Sequence, residues 1–168
     1  MKLATTDLEI DVRAGALEDV PLLLSFMHSM AEFEKLEVTA TEEILTDSLF
    51  GERPSAHTLI AFIDGRPVAY VIYFFNFATM VGKRVLHLED LFVIPEFRRK
   101  GIARALMAYL ADVAIQNQCG RFEWIVLDWN RSAIGFYQGL GATIFDDWRI
   151  CRLEEEKIAS VASGCQIG

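Results

Sequence analysis

Leu91-Phe92-Val93-Ile94-Pro95-Glu96-Phe97-Arg98-Arg99-Lys100-Gly101-Ile102-Ala103 carries a strand through a basic turn straight into a helix. A junction of this kind suits an anion. The first amides of a helix have no intrahelical acceptors and sit at the positive end of its dipole, so several can donate to one phosphate group. Gly101 and the small Ala103 let such a ligand approach the backbone, and Arg98, Arg99 and Lys100 concentrate positive charge in a chain whose net charge is -8. Taken alone, the same pattern also describes an ordinary charged surface loop.

Upstream, Leu8, Ile10 and Val12 alternate with charged residues as in a strand, and Val20, Leu23, Leu24, Met27 and Met30 recur at helical spacing. A first helix is predicted from Asp19 toward Glu34, and a second over Glu42 to Phe50, capped by Thr39 or Thr41 and ended by Gly51. Thr58 to Ile63 and Val68 to Phe75 flank Asp64-Gly65, a hairpin signal, and Val85 to Ile94 supplies a third antiparallel strand. Downstream, Ile102, Leu106, Tyr109, Leu110, Val113 and Ala114 line one helix face, with Cys119-Gly120 closing the segment. Phe122 to Leu127 reads as a buried strand and Ser132 to Gln138 as a short helix stopped by Gly139 and Gly141. Ala142 to Phe145 and Trp148 to Leu153 are expected to form a last hairpin, and residues 160–168 a flexible tail. The pattern is α/β, and residues 1–168 read as one domain.

Composition narrows the classes. At 168 residues and 52% hydrophobic content, the chain can bury one continuous core. The acidic balance repels polyphosphate, so nucleic acid is not an expected partner, and it either serves solubility alone or attracts a cationic substrate. The longest apolar run, Val68 to Phe75, is too short to span a bilayer, and the first twelve residues lack the layout of a secretory signal. The expectation is a cytoplasmic protein without membrane attachment. Cys119, Cys151 and Cys165 read as reduced thiols, and three histidines and three cysteines without ligand spacing predict no metal.

Several blocks taken together are more specific. Arg98-x-x-Gly101-x-Ala103 after a Val-x-Pro strand end resembles the acyl-CoA signature of the GNAT superfamily of N-acetyltransferases. Leu88-Glu89-Asp90-Leu91-Phe92-Val93, Asp128-Trp129-Asn130, Phe136-Tyr137 and Gly141-Ala142 are similar to the diamine acetyltransferases that act on spermidine and spermine, as are Ala31-Glu32-Phe33-Glu34 and Trp148-Arg149. The resemblance covers nearly the whole chain. It implies a largely antiparallel sheet of six to seven strands flanked by about four helices, and acetyl-CoA as cosubstrate.

The resemblance also implies roles. Leu91, Phe92 and Val93 would offer backbone groups to the pantetheine arm, and the signature at Arg98, Arg99, Lys100, Gly101, Ile102, Ala103 and Arg104 would hold the pyrophosphate. Asn130, Arg131, Ser132 and Ala133 would contact the far side of the coenzyme, with Tyr137 as the catalytic tyrosine. A phenol is protonated at neutral pH and can donate to a leaving thiolate without carrying charge. Glu89 would take the amine proton, directly or through water, or hold the substrate ammonium, while the strand period turns Asp90 to the opposite face. Phe33, Glu34, Val126, Leu127 and Asp128 would meet the amine. Phe33 stands where relatives have Tyr, and Asp128 where they have Glu, so the preferred amine is expected to differ. Asp146, Asp147 and Trp148 could extend an acidic wall, and His87, alternating with Glu89, is either a proton relay or a structural residue. The expected reaction is direct acetyl transfer to a primary amine of a diamine or polyamine in a ternary complex. Thialysine, another amino acid or a peptide amine is the alternative acceptor. An acetyl-CoA-binding sensor module is the non-enzyme alternative, and a homodimer is the expected assembly.

Overall fold

The computed structural model describes residues 1–5 and 8–164. It divides into two compact units, Met1–Ile125 and Val126–Gly168.

The first unit is a six-stranded sheet in sequential order: β1 (Lys2–Ala4), β2 (Glu9–Ala14), β3 (His57–Ile63), β4 (Arg66–Ala78), β5 (Lys83–Val93) and β6 (Arg121–Trp124). Every pairing is antiparallel except β5 with β6. A parallel pair needs a long crossover, and helix α3 (Ile102–Gln116) supplies it. The β3–β4 turn forms as the Asp64-Gly65 dipeptide predicts, both residues having positive φ, 49° and 75°. β1, which pairs Lys2 with Asp11, is not anticipated from sequence; three residues carry too little alternation to be read.

Helices α1 (Val20–Glu34) and α2 (Glu42–Phe50) match the predicted spans, and Thr41 caps α2 by accepting from the Ile44 amide at 3.3 Å. Their apolar faces pack on one side of the sheet: Val20, Leu23, Phe26, Leu45 and Leu49 meet Ile60, Tyr70, Ile72 and Phe92. Each such side chain contributes about 1.5–3 kcal/mol when fully buried. α3 buries Ile102, Leu106, Leu110 and Val113. At the entry to α1, Arg13 grips Asp19 through two hydrogen bonds of 2.5 and 2.8 Å, and the Ala16 amide donates to the same carboxylate at 2.8 Å. Arg13 and the amide hold the Asp19 carboxyl below the usual carboxylate range.

The second unit contains α4 (Arg131–Gln138) and α5 (Glu155–Gly164). From β6 onward the sequence reading needs three corrections. Residues 142–153 form no strand, because a strand requires a neighbour to take its backbone groups; the Ala142 amide instead donates to Tyr137 O at 3.1 Å. β6 stops at Trp124, short of the predicted Leu127. Residues 160–164 continue α5, while the remaining residues of the expected tail, like Cys165, lie outside the described residues. The α/β class and the largely antiparallel six-stranded sheet flanked by about four helices are as expected, the described residues forming five α-helices.

Candidate active site

β5 changes character along its length. From Val85 to Leu88 it is paired on both edges, with β4 and with β6; from Asp90 to Val93 only β4 pairs with it. Leu91, Phe92 and Val93 therefore keep one edge without a ladder partner among the described residues. The change falls at a bulge: Tyr73 pairs with Leu88 and Ile72 with Asp90, so Glu89 is an extra residue.

The bulge resets the strand period. Side chains opposite one another in an antiparallel pair share a face, so Asp90 lies on the face of Ile72 and His87 on that of Phe74, which is the same face. The period-2 expectation that Asp90 turns away is overturned, because the inserted residue shifts everything beyond it. Asp90 instead accepts from the buried Tyr70 hydroxyl at 3.0 Å, and that hydroxyl also reaches the Met30 sulfur at 3.5 Å. Burial, with the Glu89 and Glu34 carboxylates nearby, pushes the Asp90 carboxyl up to about 6 against the lowering effect of the Tyr70 hydrogen bond. Glu34, half-buried at the end of α1, is raised by burial, and burial together with Asp90 raises the Tyr70 phenol. Three carboxylates thus influence one another here, one exposed and two withdrawn from water.

The basic turn follows. Arg99 and Gly101 have φ of 62° and 82°, and a Cβ on Gly101 would lie 3.0 Å from the Thr5 methyl. Glycine is therefore favoured there by conformation as well as by space. Among the described residues, none of the amides of residues 99 to 104 has a backbone acceptor; the α3 ladder begins with the Ala105 amide donating to Gly101 O at 3.0 Å. Six consecutive donors without a backbone acceptor among the described residues fit a diphosphate. Arg98 is used differently from the expectation that it simply adds charge. Its Nε donates to Val93 O at 2.9 Å, and its guanidinium lies 4.9 Å from the Phe33 ring centre and 5.4 Å from that of Phe92. It braces the end of α1 against the end of β5. Phe33, expected to meet substrate, is half of that brace, whereas exposed Arg99 and Arg104 carry no such contact among the described residues.

In the second unit, Val126 and Leu127 are irregular backbone, and Asp128 is exposed in the turn before α4. Asn130 caps α4, its side chain accepting from the Ala133 amide at 3.2 Å. Arg131 and Ser132 are exposed in the first turn, and Tyr137 is half-buried with its ring 5.3 Å from Phe136. Asp146, Asp147 and Trp148 are exposed.

Two participants escape the sequence reading. Tyr70 hides within an apolar run, although a phenol at the centre of a strand already asks for a partner. Glu123 becomes a neighbour of His87 only through the β5–β6 register. Among the described residues there is no cluster of three or more His, Cys, Asp or Glu placed for a metal ion, and no helix is long and apolar enough to cross a membrane.

Comparison with known proteins agrees with this architecture. The acetyltransferase (GNAT) family model matches residues 24–142. A thialysine N-epsilon-acetyltransferase of Mus musculus is 35% identical over 164 residues, covering 90% of this chain and 96% of that protein. An L-ornithine N5-acetyltransferase of Arabidopsis thaliana is 27% identical, covering 89% of this chain and 86% of that protein. An integron cassette protein from the mobile metagenome of V. cholerae shares the fold, with a TM-score of 0.75 at 23% identity over 91% of this chain and 97% of its own. With a family model spanning most of a chain whose strand, bulge and amide-lined turn are as described, this protein belongs to the GNAT family of N-acetyltransferases.

Proposed function

We propose that the chain moves the acetyl group of acetyl-CoA onto the terminal primary amine of a small cationic molecule, by direct attack in a ternary complex. The observation that carries the reading is the bulge at Glu89, where three carboxylates meet the stretch of β5 that, among the described residues, has one edge without a ladder partner and leads into the amides of residues 99 to 104, which lack backbone acceptors. Acetyl-CoA supplies the activated acyl group. The amides of Arg99 to Arg104 hold its diphosphate, and the free edge of Leu91 to Val93 aligns its arm.

An alkylammonium, with an ordinary pKa of about 10, must lose a proton before it can attack. Glu89, more exposed than Asp90, accepts that proton, while Asp90 and Glu34 set a negative field that holds the cation. Tyr137 donates to the departing sulfur. Asn130 orients the start of α4, and Arg131, Ser132 and Ala133 contribute contacts to the coenzyme. Asp128 reads the far end of the amine together with Val126 and Leu127.

The names of the relatives favour the ω-amine of a dibasic amino acid, thialysine or ornithine, as acceptor. Diamines and polyamines are the second reading, favoured by the acidity of the site and by the sequence blocks similar to diamine acetyltransferases. A homodimer in the cytoplasm belongs to the proposal, supported by the exposed Trp148, Ile150 and Leu153. CoA release is measured against thialysine, ornithine, lysine, putrescine, spermidine, spermine and a lysine peptide. The expected outcome is the highest kcat/KM with a free small amine; activity on the peptide alone ends the reading.

A further inference from the structure

Among the described residues, Nδ1 of His87 is the one buried side-chain nitrogen or oxygen that has no hydrogen-bond partner. An orphan of this kind calls for an explanation. The ring stacks on Phe74, its cross-strand neighbour on β4, with centroids 4.8 Å apart and planes 28° apart, so it cannot turn freely. Its two nitrogens face two different carboxylates: Nε2 lies 3.8 Å from Glu89 Oε2, and Nδ1 lies 3.9 Å from Glu123 Oε1 on β6. Both distances are too long for hydrogen bonds. Both carboxylates are less confined than the ring, 58% and 44% exposed against 15% for the imidazole, which leaves them room to approach it.

A neutral imidazole carries one N–H and one lone pair. We propose that His87 is a positioning residue for Glu89: with its Nδ1–H directed to Glu123, it presents Nε2 to Glu89 and takes over the proton that Glu89 removes from the amine. This rests on the reading of Glu89 as the acceptor of the ammonium proton. The protons balance. An N–H bond of the ammonium breaks as an O–H forms on Glu89; that O–H breaks as Nε2–H forms, which regenerates the carboxylate. The imidazolium keeps its Nδ1–H directed to Glu123 and releases the Nε2 proton to water, which restores the starting tautomer for the next turnover. Among the described residues, β4 sets Phe74 against the ring, and Asp90, on the same face, is held by the Tyr70 hydroxyl while Glu34 on α1 acts on Asp90.

Two measurements on the full-length protein test the idea. The first is kcat against pH with acetyl-CoA and thialysine for wild type and His87→Gln. The variant is expected to lose about 10- to 100-fold in kcat, to keep its KM for acetyl-CoA, to lose one ionisation from the acid limb, and to regain rate with added imidazole. Superimposable profiles overturn the proposal. The second needs no turnover: 15N spectra of labelled histidine are expected to place the neutral-ring proton on Nδ1, and to lose that preference in Glu123→Leu. A wild-type ring protonated on Nε2 overturns the proposal as well. If wild type releases no CoA with any amine, the acetyl-transfer reading fails by itself, and the spectra still decide the His87 geometry.

Discussion

Two aspartates of the first unit are withdrawn from water, and their surroundings treat them in opposite ways. Asp19, at the entry to α1, meets a guanidinium and an amide, and its carboxyl is held below the ordinary range. Asp90, beside the β5 bulge, meets a phenol and two further carboxylates, and its carboxyl rises to about 6. The first acid stabilises a helix junction with a cation from its own chain. The second has no such cation among the described residues, although burying a carboxylate next to like charges costs free energy. An acid maintained in that state suits a site that meets its cation from outside, which supports the amine reading.

Substitutions at the two regions sharpen the contrast. Glu89→Gln at the bulge is expected to lower kcat by about 100-fold or more while leaving stability within about 0.5 kcal/mol, since the side chain is exposed. Steady-state kinetics and urea unfolding measured together check this. Asp19→Asn should do the reverse, costing about 2–3 kcal/mol by breaking the Arg13 clamp, with turnover per folded molecule unchanged. Its deficit should shrink in strong acid, because a depressed carboxyl contributes stability above its unfolded pKa and loses it as pH falls through the folded value.

For Asp90→Asn the sign inverts. The raised carboxyl makes the folded protein bind a proton more tightly than the unfolded chain, so wild type loses stability as pH rises from about 4 to about 6. The variant escapes that loss and should be about 1–2 kcal/mol more stable than wild type at pH 8, with the gain vanishing near pH 4 in denaturant titrations. A penalty that is the same at both pH values would show that the Tyr70 hydrogen bond, rather than charge, governs the site. The smallest effect is expected at the basic turn. Gly101→Ala should cost about 1 kcal/mol, because φ is 82° and the new methyl would crowd Thr5 at 3.0 Å. Calorimetry should also show weaker acetyl-CoA binding.

Much of this was readable in advance. The Asp64-Gly65 turn, the Thr41 cap and the helical spacing of Ile102, Leu106 and Leu110 are local signals, each decided by residues within a few positions of one another. The start of α3 after the basic turn was readable for the same reason, since amides without intrahelical acceptors follow wherever a helix begins. The hairpin expected over residues 142–153 failed because alternation describes only which faces a strand would show. Whether a neighbour is there to pair with it is not a local property.

By itself, then, the sequence determined the helices, the turns and the basic junction, because short-range backbone sterics and hydrogen bonds fix them. Only the tertiary structure decided which acid is exposed and which is buried. One extra residue at Glu89, visible only in the register with β4, moves Asp90 onto the face of Tyr70, and the parallel pairing with β6 brings Glu123 beside His87. Those outcomes depend on which strands meet and in what register, and so on contacts between residues far apart in the chain.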